Sequence, residues 1–240
     1  MKSLFLYTLL TTIAVCLVPL STNSARAQEK VPRYELGGQF TLLSLTKPTA
    51  QFDDFFGVPY KVEPGFGGRF TYNFTNEIAF DAEGNFFPGR YEFLDAPSGH
   101  IFQGQFGIKA GKRFKKIGIF GKARPGFVTF TKVSRLTGIR HEFVMARFPV
   151  GIFPLDVPEF RVDKASYLSA DLGGVVEFYP SRRIVTRFDI GDTIIRYGAF
   201  QEPQLNVCPL VAPTCPINVF ERPEETRHSL QFSAGVSFRF

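Results

Sequence analysis

Residues 228–240, HSLQFSAGVSFRF, alternate without a break, and this pattern restricts the fold tightly. Leu230, Phe232, Ala234, Val236, Phe238 and Phe240 take one parity; Ser229, Gln231, Ser233, Gly235, Ser237 and Arg239 take the other. Successive side chains of a strand point to opposite faces, so a period of two specifies one apolar and one polar face, where a helix needs about 3.6. A water-facing sheet would carry several long charges on its polar side. The small Ser, Gln and Gly residues here suit the crowded interior of a closed barrel.

The same parity recurs backwards along the chain. Residues 184–197 set Ile184, Phe188, Ile190 and Ile194 against Arg187, Asp189, Gly191 and Thr193; residues 164–180 set Leu168, Ala170, Leu172, Val176 and Phe178 against Ser169, Asp171, Gly173 and Glu177. In residues 117–130, Ile117, Ile119, Ala123, Pro125 and Phe127 oppose Lys122 and Arg124. In residues 101–114, Phe102, Phe106, Ile108 and Ala110 oppose Gln103, Gln105, Lys109 and Arg113. Residues 78–87, 65–75 and 34–45 complete the set, with Asp81, Glu83, Asn85, Arg69, Thr71, Asn73, Glu35 and Gln39 on their polar faces. The connections alternate between long (46–64, 88–100, 131–163, 199–227) and tight (75–77, 114–117, 180–183), as in barrels with long external loops and short periplasmic turns. The implied fold is all-β, an eight-stranded antiparallel up-and-down transmembrane β-barrel. Pro125 cannot donate to a ladder, and with Gly121 and Gly126 nearby it marks a bulge or the outer rim.

The N-terminus supplies an address. Lys2, an apolar run from Leu4 to Leu20 and the small-x-small triplet Ala25-Arg26-Ala27 define a cleaved signal peptide over 1–27, leaving 28–240 as the barrel. Val15 before Cys16 argues against lipoprotein processing, which needs a small residue there. Removing Lys2 and Arg26 lowers the formal charge from +6 to +4. Beyond residue 27 no apolar run is long enough for a membrane helix. The 29 Phe with no Trp suit a lipid-facing wall better than a soluble core. Cys208 and Cys215 remain as an even pair in an exported chain and are expected to form a disulfide closing CPLVAPTC.

These features together resemble the small outer-membrane β-barrel proteins of the OmpA/OmpX type. The likeness rests on the leader, the amphipathic strands and the terminal strand ending in Phe240, similar to the C-terminal aromatic signature read by the outer-membrane assembly machinery. It implies an integral barrel of a bacterial outer membrane with both termini periplasmic. With nothing after Phe240, no periplasmic peptidoglycan-binding domain is expected.

An eight-stranded barrel is narrow enough for its own side chains to fill. The inward positions hold Glu35, Asp81, Glu83, Asp171, Glu177 and Asp189 against Arg69, Lys109, Arg113, Lys122, Arg124, Arg187 and Arg239, signs that nearly cancel. Buried ions demand partners, so a salt-bridged plug is the expectation, with a small gated pore as the alternative. A lipid-modifying enzyme is the weaker alternative. His228 and Ser229 lie near Glu224 and Glu225 but are adjacent in a strand and face opposite ways. His100 and His141 lack ligand spacing, so no catalytic residue, metal or cofactor is expected, and export removes nucleic acid as a partner.

The loops are the place for specific contacts. Residues 131–163 hold Lys132, Arg135, Arg140, His141, Arg147 and Arg161 interleaved with Phe143, Val144, Met145, Phe148 and Phe153. Lysine and, above all, arginine bind phosphate, so Lys132, Arg135, Arg140, Arg147 and Arg161 are candidate contacts to lipopolysaccharide. The alternative is a merely solvated loop with strand extensions above the bilayer. Phe52, Phe55 and Phe56 around Asp53 and Asp54 form a second loop patch. The function that follows is non-enzymatic: envelope integrity, or display of external loops to partners.

Overall fold

A computed structural model describes residues 32–46, 60–89, 99–147, 150–204 and 218–240. Its elements are β1 (Tyr34–Thr46), β2 (Tyr60–Asn73), β3 (Ile78–Phe87), β4 (Ile101–Arg113), β5 (Ile117–Arg147), β6 (Val150–Phe178), β7 (Ile184–Tyr197), β8 (Phe200–Gln204), β9 (Asn218–Arg222) and β10 (Glu225–Arg239). Eight of them close into a barrel in the order β1-β10-β7-β6-β5-β4-β3-β2, every neighbour antiparallel; β8 and β9 pair separately as a small hairpin. The seam joins the ends of the sequence, with Glu35 opposite Arg239 and Leu43 opposite Gln231. This is the eight-stranded antiparallel barrel that the alternation implies. The leader, Cys208, Cys215 and the Phe52 to Phe56 patch lie outside the described residues.

Parity decides the two faces. Phe66, Ile108, Leu168 and Leu230 stand outward and exposed, whereas Asp81, Lys109, Arg124, Asp171 and Glu177 are fully enclosed. Tight turns at one end, the terminal rim, fix which residues face where. Thr75 Oγ1 accepts from the amides of Glu77 and Ile78 (3.1 and 2.9 Å), and Ser181 Oγ accepts from Arg183 and Ile184 (3.3 and 3.1 Å). Short hydroxyl side chains make such turns because they reach back to the backbone two or three residues on.

Residues 131–163 carry the strand extensions allowed for them: β5 and β6 continue past the barrel as a paired hairpin up to Arg147 opposite Val150. At about 3.3 Å per residue it projects roughly 50 Å beyond Phe130. Pro125 sits at neither a bulge nor the rim. The β4–β5 register is unchanged from the pair Gln105/Gly126 to Ile108/Ala123, and Pro125 opposes Ala170 in unbroken β6 pairing. Its missing donor is accommodated by a local gap in the β4 ladder. The irregularities lie farther out, between Phe130 and Val133 and between Leu136 and Gly138.

Glycine permits the close approach of the walls. A Cβ on Gly107 would meet Ala123 O at 2.1 Å and Arg124 Cα at 2.7 Å.

Candidate functional site

All thirteen charged residues named for the lumen lie inside the barrel, stacked in layers along its axis. At the terminal rim, Glu35 Oε1 accepts from Asn73 Nδ2 and Arg239 Nε, both at 2.9 Å, and from Arg113 Nη2 at 3.4 Å. Arg113 Nε donates to the Tyr179 hydroxyl (3.1 Å), which donates to Glu177 Oε2 (2.8 Å); Glu177 Oε1 pairs with Lys109. The Arg239 guanidinium covers the Tyr179 ring at 4.4 Å. Burial, reinforced by the Glu177 carboxylate, pushes the Tyr179 phenol above its ordinary range, so it stays a hydrogen-bond donor.

The middle layer is a continuous ion-pair network. Arg187 donates to both oxygens of Asp81 (2.9 and 2.7 Å) and to Asp189 (2.7 Å). Arg69 bridges Glu83 (3.1 Å) and Asp189 (2.8 Å). Arg124 binds Asp171 and Glu83, both at 2.6 Å, and Asp81 at 3.2 Å; Lys122 reaches Asp171 at 2.8 Å. Arginine dominates because its planar fork serves two carboxylates from one buried position.

Above the charges lies an amide layer. Gln39 donates to Asn85 (2.6 Å), Asn85 to Gln103 (2.9 Å), Gln103 to Gln231 (2.8 Å), and Thr193 also donates to Gln231 (2.7 Å). Above that, Leu43, Leu45, Phe87, Ile101, Val128, Ile195 and Tyr197 form an apolar lid, with Phe130 and Tyr167 packed against it. Sequence reasoning missed the lid. Parity in residues 34–45 was followed through outward Leu42, yet the next residues of inward parity, Leu43 and Leu45, are apolar as well; that run, LLSL, was the available signal.

In the hairpin, Arg135 and Arg161 occupy directly opposed positions and therefore share a face. Acids alternate with the expected cations. Arg140 pairs with Glu142 (2.9 Å) and Glu159 (3.6 Å), and Arg161 with Asp163 (3.1 Å). Lys132 is exposed, and the Arg147 side chain lies outside the described residues. With Glu142, Asp156, Glu159 and Asp163 among the cations, residues 131–163 are of mixed charge rather than predominantly basic.

His228 and Ser229 are not brought together. His228 is exposed with Nδ1 2.5 Å from Asp192 Oδ2, while Ser229 is buried on the opposite face; His141 similarly meets Asp156 at 2.5 Å. Glu224 pairs with Arg196, and Glu225 with Arg227 at 2.8 Å. Among the described residues no group of three or more His, Cys, Asp or Glu is placed to hold a metal.

No protein-family model and no curated protein matches the sequence. Solved structures with a similar fold include Ail, the attachment invasion locus protein of Yersinia pestis, at 12% identity and TM-score 0.43 over 88% of this chain and 99% of that one. Neisserial surface protein A shows 12% identity and TM-score 0.43, over 86% and 97% respectively. OprG, an outer membrane protein of Pseudomonas aeruginosa, shows 11% identity and TM-score 0.44, over 88% and 97%.

Proposed function

We propose that this chain is an integral, non-enzymatic barrel of a bacterial outer membrane, its termini periplasmic and its long β5–β6 hairpin external. The observation that carries this reading is the inversion of polarity: Phe, Leu and Ile line the exposed wall while the interior is ionic. A bilayer is the solvent that rewards such an arrangement, because every backbone group of a closed barrel is paired within the wall and only apolar side chains meet hydrocarbon. The interior is filled twice over, by ion pairs and then by the apolar lid. That filling supports a structural or display role over conduction.

The hairpin is the surface for an external partner. Arg135 and Arg161 share a face across the strands; Asp163 already pairs with Arg161, and the two guanidinium groups together still offer a site to an anion such as lipopolysaccharide phosphate. The strand ending in Phe240 is the segment offered to the assembly machinery. The test is extraction of the processed chain from membranes at alkaline pH without detergent. Retention in the pellet is expected; release of a monodisperse soluble protein overturns the proposal. Loss of lipopolysaccharide binding is expected for Arg135→Gln/Arg161→Gln.

A further inference from the structure

The β4–β5 and β6–β7 turns of the terminal rim, with the strand ends beside them, expose cations. Arg33 precedes β1, Lys112 ends the outward column of β4, Lys115 and Lys116 form the β4–β5 turn, and Arg182 and Arg183 form the β6–β7 turn; all six are exposed. Glu77, in the neighbouring β2–β3 turn, is the acidic side chain in the described turns of this rim, and its carbonyl accepts from Gly111 N at 2.9 Å. Lys112, Lys115, Lys116 and Arg183 form no ion pair among the described residues. At the opposite end three exposed arginines have carboxylate partners, Arg140 with Glu142, Arg161 with Asp163 and Arg196 with Glu224, while Lys132 and Arg135 are exposed there as well.

The cationic turns are tied to one another. Phe114 N donates to Ile117 O (2.7 Å), Tyr179 N to Lys116 O (2.9 Å), and Arg239 N to Arg183 O (2.8 Å), so the two turns form one stitched shelf. Directly below it the wall is apolar and exposed at Phe114 (54%), Ile117 (39%), Phe178 (40%) and Ile184 (41%). Fixed cations above a hydrocarbon-like column match a molecule with an anionic head and acyl tails.

We propose that the β4–β5 and β6–β7 turns bind the headgroup of an anionic phospholipid, whose acyl chains lie along Phe114, Ile117, Phe178 and Ile184. The inference rests on the membrane reading above and adds a lipid class and a leaflet to it. Lysine near the apolar boundary runs its methylene stem along the wall and lifts its ammonium to the phosphate, the geometry open to Lys112. Clustered cations at a membrane surface attract anionic lipid additively and lose that attraction as salt screens them.

The test is native mass spectrometry of the full processed chain released from micelles containing equal phosphatidylglycerol and phosphatidylcholine. Wild type should retain phosphatidylglycerol about tenfold over phosphatidylcholine, and Lys115→Gln/Lys116→Gln/Arg182→Gln/Arg183→Gln should fall to about twofold or less. The control Arg135→Gln/Arg161→Gln should keep the full preference. Equal retention by wild type, or a preference that survives the fourfold change, overturns the inference. Should that variant fail to fold, wild type decides alone: its preference must collapse between about 50 and about 500 mM salt, and a salt-independent preference overturns the site. A wild type that enters vesicles of both lipids without retaining either defeats the lipid site only, whereas one that enters neither defeats the membrane reading beneath it.

Discussion

Arg187 shows how single residues hold this interior. Its guanidinium satisfies Asp81 through two bonds and Asp189 through three, all out of contact with water. Removing one partner of a buried pair leaves uncompensated charge, so Arg187→Met should destabilise the barrel by about 3 to 5 kcal/mol, read as a lower urea midpoint for unfolding from lipid vesicles. Arg187→Lys keeps the charge and loses the fork, and should fall between the two. Glycines give a second contrast. Gly107→Ala sets a methyl against the backbone of Ala123 and Arg124 and should lower the midpoint clearly, whereas Gly84→Ala, with nothing within 4 Å, should leave it nearly unchanged. The charged lumen was legible residue by residue because ions placed on the polar parity have one place to go. The apolar lid was illegible for the same reason: faces were assigned by polarity, and Leu43, Val128 and Ile195 are apolar residues on the polar parity.

At the scale of elements, period two revealed the barrel strands and then failed above Phe130. The cause is two interruptions of pairing. Thr131 and Lys132 together oppose a single position on β6, which swaps the faces of β5, and Thr137 swaps them back. A strand whose parity flips twice reads as irregular sequence, so periodicity alone does not set how far the strands extend into residues 131–163. Above Thr131, which still bonds to His100 beside β4, the ladder of the extension joins only β5 and β6, so the hairpin beyond it adds nothing to closure of the wall. Deleting residues 137–159 with a two-residue Asn-Gly link should leave the barrel folded, with its unfolding midpoint within about 1 kcal/mol of the parent, a surface-type effect. Circular dichroism melting of the shortened chain in detergent checks this; loss of all strand signal would show that the extension nucleates the barrel.

At the scale of the molecule, the described interior is filled at two levels, by ion pairs and by apolar side chains. Reconstituted in planar bilayers the protein should give no steady current steps. Because the ionic layers stand beneath the lid, Leu43→Ser/Phe87→Ser should stay silent as well; sustained current from that double variant would mean that the ion pairs do not block passage. The seam carries a different consequence. Glu35 and Arg239, 204 positions apart, share a hydrogen bond across the joint between β1 and β10. The first strand to leave the ribosome must therefore wait, unpaired along one edge, for the last strand made. A premature stop codon at or before Glu225 removes all of β10 and leaves the β1 and β7 edges open together, and such a nascent product should be cleared by envelope proteases rather than persist as a shorter, working form.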